Sequence, residues 1–467
     1  MDRRTNLNLM LTVTLSLVAG CRAPRWHVPC QVEANVASAA ATRADVVEPP
    51  VTPVAYFTEA LPELSALWNV ALSNNPALRE ASAEIEAARG QFVQAQRYLN
   101  PDVTYQETGI GDSRDARGTL QVQLRQEIIT SGKRNLDMAI AERSTNIAFI
   151  GLLNRKYAVL TNVRRLYYDY RALGFTLSVS DEVVDTLTAA RETTRRLVED
   201  VQSRPRYDLE RMDALLGEAR IAQARSRINL EMTWKQLVAE LGVPDSEMPE
   251  ARPSLPDEPP LWANRDVLSR VVATNLEIRQ AAALIEQSRV RVERAQAQAY
   301  PNVTVGAGYQ HHYTVNQPGA VVSVQVPLPV YDRRQGQIAE AEARVVQTEA
   351  ARQSVVNRLN RDTAEALARF QGAWEQDRRL TRDVLPVLEK SLQGVRQEYE
   401  AGAPRVTFAD VLLSTQNLNA AKLRRTDVRR ELWRAVADLE GLMQLDVDET
   451  LAAPRPQPAP PAPEPAP

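Results

Sequence analysis

Histidine and cysteine are nearly absent from this 467-residue chain: His27, His311 and His312 are the only histidines, Cys21 and Cys30 the only cysteines. That scarcity excludes a zinc cluster and a disulfide framework, both of which need more such residues at fixed spacing. Aromatic residues make up only 5% and glycine 18 positions, thin material for a β-sandwich core. A formal net charge of -3 lacks the basic footprint of a nucleic-acid binder. Beyond residue 20 no run of about 18 apolar residues occurs, so no transmembrane helix is expected in the mature chain. Three histidines cannot supply a persuasive Ser–His–Asp or Cys–His set. Gly132-Lys133 lacks the upstream glycine and following Ser or Thr of a phosphate loop. Carboxylates abound, but on helical stretches with arginine partners, where solvated i,i+4 pairs are the default. The sequence therefore predicts no enzyme, no catalytic residue, no cofactor and no metal site. His311 and His312 are adjacent on an expected strand and point to opposite faces.

Residues 1–20 read as a secretory signal: Arg3 and Arg4, then the apolar run Leu7–Val18. Val18-Ala19-Gly20-Cys21 is similar to a bacterial lipobox, in which Cys21 would be lipidated and become the first residue. Each buried acyl methylene then contributes about 0.8 kcal/mol to anchoring, and Arg22 after the cysteine resembles lipoproteins sorted to the outer membrane. Residues 21–57 form a tether, 244–262 a Pro-rich linker and 446–467 a flexible Pro-rich tail.

Between these lie two halves, 58–243 and 263–445, related by an offset of 200. Asn75–Thr104 and Asn275–Thr304 align without a gap, with 12 of 30 positions identical, among them Asn75/Asn275, Arg79/Arg279, Glu86/Glu286 and Pro101/Pro301. Shared helix composition cannot produce Pro-x-Val-Thr at the end of both, so the chain is read as a duplication. Each half opens with a helix stopped by that proline. Alternating segments follow, predicting β-hairpins at 102–130 and 302–330 with loops at Gly109–Gly118 and His312–Gly319. Glu107 falls in the apolar phase and weakens the first strand.

Very long proline-free stretches come next, Lys133–Arg204 and Gln335–Leu385, inside helical hairpins at 133–242 and 334–445. In the second, Ile338, Val345, Leu359, Ala366, Ala373, Leu380 and Val387 recur every seven residues, with Arg352 the exception, a coiled-coil seam. Pro386 predicts a kink in a helix that continues to about Glu400.

Four strands cannot close a barrel, and in lipid a spanning sheet must close. Strands of about ten alternating residues match the outer-membrane signature, and the simplest solution is oligomeric closure, with several chains each giving four strands. Here the chain resembles the TolC-like outer membrane factor family, the exit ducts of tripartite efflux and type I secretion systems. The resemblance spans about residues 58–445. It is carried by Cys21, the helix–Pro–strand units at Asn75–Tyr105 and Asn275–Val305, Tyr399-Glu-Ala-Gly402, and Asp410-Val411-Leu412. It implies a mainly α fold with a small β part. A homotrimer would form a twelve-stranded outer-membrane β-barrel, continued by a twelve-helix periplasmic α-barrel. Its partners would be outer-membrane lipid, a periplasmic adaptor and an inner-membrane pump of the resistance-nodulation-division type. Val326–Gly336 and Ser131-Gly132-Lys133-Arg134 are most similar to the cobalt–zinc–cadmium and copper–silver resistance branch.

By the same resemblance Asp410 matches an acidic gate at the periplasmic constriction, while Leu413 stands where a second acid is common, making the ring partly hydrophobic. Asp410 is also a plain helix-start acid. Tyr399 is read either as a brace of the closed state or as simple packing. Arg204, Pro205, Arg206, Gly402, Pro404 and Arg405 mark two hairpin tips that would meet the adaptor; Gly402 equally suits a capping turn. The competing functional class is a lipid-anchored periplasmic coiled-coil scaffold without a pore, which has no need of a duplicated strand set.

Overall fold

The computed structural model describes residues 61–109, 118–200, 205–249, 255, 258–260, 264–400 and 405–444. The signal, Cys21, the tether, Arg204, Gly402, Pro404 and the tail lie outside them. The first half comprises α1 (Leu64–Asn74), α2 (Pro76–Ala95), β1 (Asp102–Glu107), β2 (Thr119–Ile128), α3 (Lys133–Glu199) and α4 (Arg206–Glu240). The second repeats the order with α5 (Asn264–Thr274), α6 (Leu276–Gln298), β3 (Val303–His312), β4 (Gln317–Gln325), α7 (Gln335–Arg379), a π-helical turn (Leu380–Val384), α8 (Leu385–Glu400) and α9 (Phe408–Leu442). The 67-residue α3 is about 100 Å long at 1.5 Å per residue.

The repeat identity at Asn75/Asn275 has a structural cause. Each asparagine caps its helix, Oδ1 accepting from the Ala77 or Glu277 amide at 2.8 and 2.9 Å. Each Nδ2 also donates to the C-terminal end of the last helix of its own half, Glu240 O at 2.7 Å and Leu442 O at 3.3 Å. One residue type thus starts one helix and closes the end of another. Gly242 (φ +78) turns the chain out of α4, where a Cβ would fall 2.6 Å from the Asn74 carbonyl oxygen.

Helices α3, α4, α7 and α9 form a layer. Near the strands α2 and α6 flank α3; farther away α4 and α9 do, and α9 packs on α7 and α8. The main core lies on one side of this layer. One buried cluster joins Leu67 and Trp68 of α1, which packs on α3, and Val267 and Val271 of α5, which packs on α7, to Leu160, Val163 and Tyr170 of α3, Trp234 and Leu237 of α4, Leu359, Ala366 and Phe370 of α7, and Leu432, Trp433 and Val436 of α9. The Trp68 indole donates to Leu160 O and that of Trp234 to Ser246 O, both at 3.1 Å, so neither buried N–H is wasted.

The four strands form one antiparallel sheet in the order β1-β2-β3-β4. β3 and β4 are longer than the pattern suggested: the loop contracts to Tyr313–Asn316, with Asn316 at φ +50. Pro318 therefore sits in β4, on an edge, where a missing N–H is tolerated.

The heptad seam holds as far as the π turn and fails after it. Leu359, Ala366, Ala373 and Leu380 are buried, but Val387 is 64% exposed and Leu385, Leu388 and Leu392 pack instead. Pro386 has no N–H and its ring would crowd the carbonyl one turn back. The backbone answers with an i→i+5 turn, Leu385 N–H donating to Leu380 O. That inserts one residue into the period and moves the seam from 387 to 388.

A charge pair is sealed in the core. Arg164 is 1% exposed and Glu440 2%, their Nε and Oε2 atoms 3.1 Å apart, with the guanidinium over the Trp68 ring at 4.7 Å. Burial outweighs Arg164 and pushes the Glu440 carboxyl up to about 7. A raised carboxyl favours the folded state while protonated. This stabilisation is complete below the ordinary glutamate range and is lost as pH rises toward 7. Arg164→Ala strands the carboxylate and should cost about 3–5 kcal/mol, read by chemical denaturation. Glu440→Gln should flatten the decline in stability between pH 4.5 and 7 relative to wild type.

Candidate functional site

The sheet has two chemically opposite faces. The register pairs Val103 with Leu124, Tyr105 with Val122, Val122 with Tyr309, Leu124 with Ala307, Val305 with Val324 and Ala307 with Val322. All lie on one face, since every second residue shares a side. The other face carries Thr104, Gln106, Gln121, Gln123, Arg125, Thr304, Gln310, Ser323 and Gln325. The apolar face is the bare one: Val322 is 80% exposed, and Val103, Tyr105, Leu124 and Val324 are also open. On the polar face Gln123 is only 6% exposed and bonds to Ser323, its equivalent at offset 200. Gly308 lies on that face, and a Cβ there would meet the Val122 carbonyl oxygen at 2.2 Å. The polar side is therefore the closely packed one at Gly308 and Gln123, and the apolar side the open one. Glu107, the misfit in β1, is that strand's last residue and accepts from Tyr105 Oη at 2.7 Å.

The junction between sheet and helices is tied across the two halves. Ser131 (φ +58) and Gly132 (φ +65) turn β2 into α3, placing Lys133 at the first helical position with its Nζ donating to Tyr300 O at 2.5 Å and Asn302 Oδ1 at 2.6 Å. Thr130 Oγ1 donates to Pro301 O at 2.6 Å. Burial depresses the Lys133 amine below its usual range, with Arg294 adding to the effect. This gives the Ser131-Gly132-Lys133-Arg134 motif a role as a clasp. Around it Tyr98, Tyr300, Leu328 and Tyr331 are exposed, and the Arg134 guanidinium lies over the Tyr98 ring at 4.0 Å.

At the far end of the helices, Asp410 sits in the first turn of α9. Its Oδ2 accepts from the Thr407 amide at 2.8 Å and from Thr407 Oγ1 at 2.7 Å. These bonds hold the carboxyl below the usual aspartate range. Asp410 is thus a capping acid, and its carboxylate remains exposed, as does Leu413. Tyr399 packs on Phe408, ring centroids 6.3 Å apart, within a cluster of Val183, Leu187, Met212 and Leu216 from α3 and α4. Phe408, unmarked by any sequence motif, joins the ends of the two helical hairpins. Pro205 is the N-cap of α4, and Arg206 follows with its guanidinium 3.9 Å from Glu210; Arg405 is exposed.

His311 lies on the apolar face, its ring near Tyr309 and Tyr313, and His312 on the polar face beside Gln310. No group of three or more His, Cys, Asp or Glu able to hold a metal occurs among the described residues, and no described helix is long and apolar enough to cross a membrane.

A sequence model described as "Outer membrane efflux protein" matches residues 67–243 and 267–443, once on each half. The cobalt-zinc-cadmium resistance protein CzcC of Cupriavidus metallidurans is 23% identical over 384 residues, covering 81% of this chain and 89% of its own length. The probable outer membrane lipoprotein SilC of Salmonella typhimurium is 22% identical over 389 residues, 77% of this chain and 81% of its own. The crystal structure of CusC shares the fold with a TM-score of 0.68 at 17% identity, over 84% of this chain and 95% of its own.

The Asp410 cap makes a local prediction. Its stabilisation is present above the ordinary aspartate range and is lost as pH falls through the lowered folded value. Corrected amide-exchange protection at Thr407 should fall on acidification in wild type and be absent at all pH values in Asp410→Ala.

Proposed function

From the premise that this chain belongs to the outer membrane efflux protein family, we propose that it is a passive exit duct, completed by three copies. The observation that carries this is the exposed apolar face of a sheet whose edge strands β1 and β4 have no further partner among the described residues. In water such a face is a liability; in lipid it is a requirement, but only if the edges close. Three sets of four strands give the twelve-stranded barrel, with the polar face turned to its bore. The helical layer continues it as a twelve-helix tube through the periplasm. An apolar stripe on α4, Ile221, Ile228 and Met232, stands exposed in the single chain and supports helix packing between copies.

The duct performs no reaction: it is a gated path, and energy comes from an inner-membrane pump of the resistance-nodulation-division type through a periplasmic adaptor. Asp410, Leu413 and Tyr399 form the gate region, three exposed carboxylates around a threefold axis attracting cations as charged rings do. Arg204, Pro205, Arg206, Gly402, Pro404 and Arg405 form the adaptor-facing tips. The name of CzcC supports heavy-metal cations as cargo, and that of SilC supports an outer-membrane position with an acyl anchor at Cys21. A lipid-anchored scaffold without a pore leaves the apolar sheet face unexplained.

Conductance of the purified protein in planar bilayers tests the reading; silence from wild type and from Asp410→Ala and tip variants alike would refute it. The faces make a sharper prediction. Val322→Arg puts a charge against lipid, at a cost of about 2–4 kcal/mol near the midplane, and should abolish assembled protein in the outer membrane. Gln121→Arg, on the polar face, should assemble and alter conductance. Cys21→Ser should still form trimers.

A further inference from the structure

The helical layer carries its strongest unshared feature on the side opposite the core. On α3, Leu160, Val163 and Arg164 face the core, while Arg165 and Asp169 lie on the other side. On α9, Trp433, Val436 and Glu440 face the core, while Arg430, Arg434 and Asp438 do not. Arg165, Asp169, Arg434 and Asp438 line an open groove with Glu431 of α9, Arg369 of α7 and Glu240 at the end of α4; Arg430 lies beside it on Asp169.

Two carboxylates in that groove are each held by two arginines from other helices. Asp169 Oδ1 and Oδ2 accept from Arg434 Nε and Nη2 at 2.6 and 2.8 Å, a fork-on-fork pair, with Arg430 Nε at 3.3 Å. Asp438 lies 2.5 Å from Arg165 and 3.0 Å from Arg369. Burial of the two carboxylates is substantial, 12% and 13% exposure, whereas their arginines reach solvent. These pairs link separate helices, unlike the i,i+4 pairs expected from the sequence, and they do not cap a helix end.

Resting on the duct reading, the geometry assigns the charged side to the wall of the bore. Helices α1 and α5 cover the opposite side, and segments packed inside a tube would block it. We infer that the paired arginines set the ion selectivity of the middle of the duct, by offsetting Asp169, Asp438 and the neighbouring Glu431 and Glu240 so that the wall does not retain passing cations. An unpaired ring of three or six carboxylates at the same height would attract and hold divalent cations, and conduction requires that a site release what it binds.

The test uses the full-length protein in planar bilayers under a salt gradient. The double variant Arg430→Gln/Arg434→Gln leaves Asp169 bare and should shift the reversal potential toward cation selectivity, with cadmium then blocking at lower concentration. Asp169→Asn leaves the arginines bare and should shift it the other way. Arg434→Lys, which keeps the charge, should stay near wild type. Should the double variant fail to assemble, the Asp169→Asn arm decides alone. An open wild-type channel whose selectivity ignores both changes, or moves the same way with each, overturns the inference and leaves the duct intact. Absence of any wild-type conductance removes the duct and this inference together.

Discussion

The structure is governed by one mismatch: the four described strands form a sheet that is apolar and exposed on one face and whose edges have no partner among the described residues. Every edge N–H and C=O placed in hydrocarbon costs several kcal/mol unless paired, far more than any side-chain refinement can return. The sheet cannot enter lipid alone, and its exposed valines have no reason to remain in water. The long helices inherit the constraint. They leave the sheet through the left-handed residues Gly132 and Arg334, at equivalent positions of the two halves, so whatever closes the sheet also sets the helices side by side.

Duplication is the economical source of such a layout, and the structure shows what each copy had to keep. Asn75 and Asn275 close the helix ends of their own halves, while Gln123 of β2 reaches over β3 to Ser323 of β4. The Lys133 clasp runs from the first half to the second. The halves have diverged where geometry is asymmetric: the first has an uninterrupted α3, the second a π turn.

Much of this was legible in the sequence because it depends on period. Alternation gave the strands and their faces, offset similarity gave the repeat, and prolines marked most boundaries. The seam beyond Leu380 was not legible, because a π turn changes the period by one residue and leaves no composition signal beyond Pro386 itself. The Asn75/Asn275 clamp was visible as identity but not as function, since its acceptors lie 165 and 167 residues away. Phe408 and the Arg164–Glu440 pair were hidden for the same reason: helix-surface charges look alike until packing selects a few for burial. Asp410 was ambiguous in sequence, and its local capping bonds explain why a helix-start acid and an exposed carboxylate can be the same residue.

The two buried or half-buried charge systems illustrate different solutions to one problem. Glu440 is sealed with a single arginine, and its carboxyl is driven up because one partner does not replace the water it lost. Asp169 keeps a solvated edge and is met by two arginines. The first arrangement stores an electrostatic cost in the core, where tight packing on Trp68 and α9 supports it. The second leaves carboxylates on an open wall already matched. A passive conduit needs that distinction: its frame can tolerate strong local interactions, whereas its path cannot, because any group that holds the cargo firmly becomes a barrier to its exit.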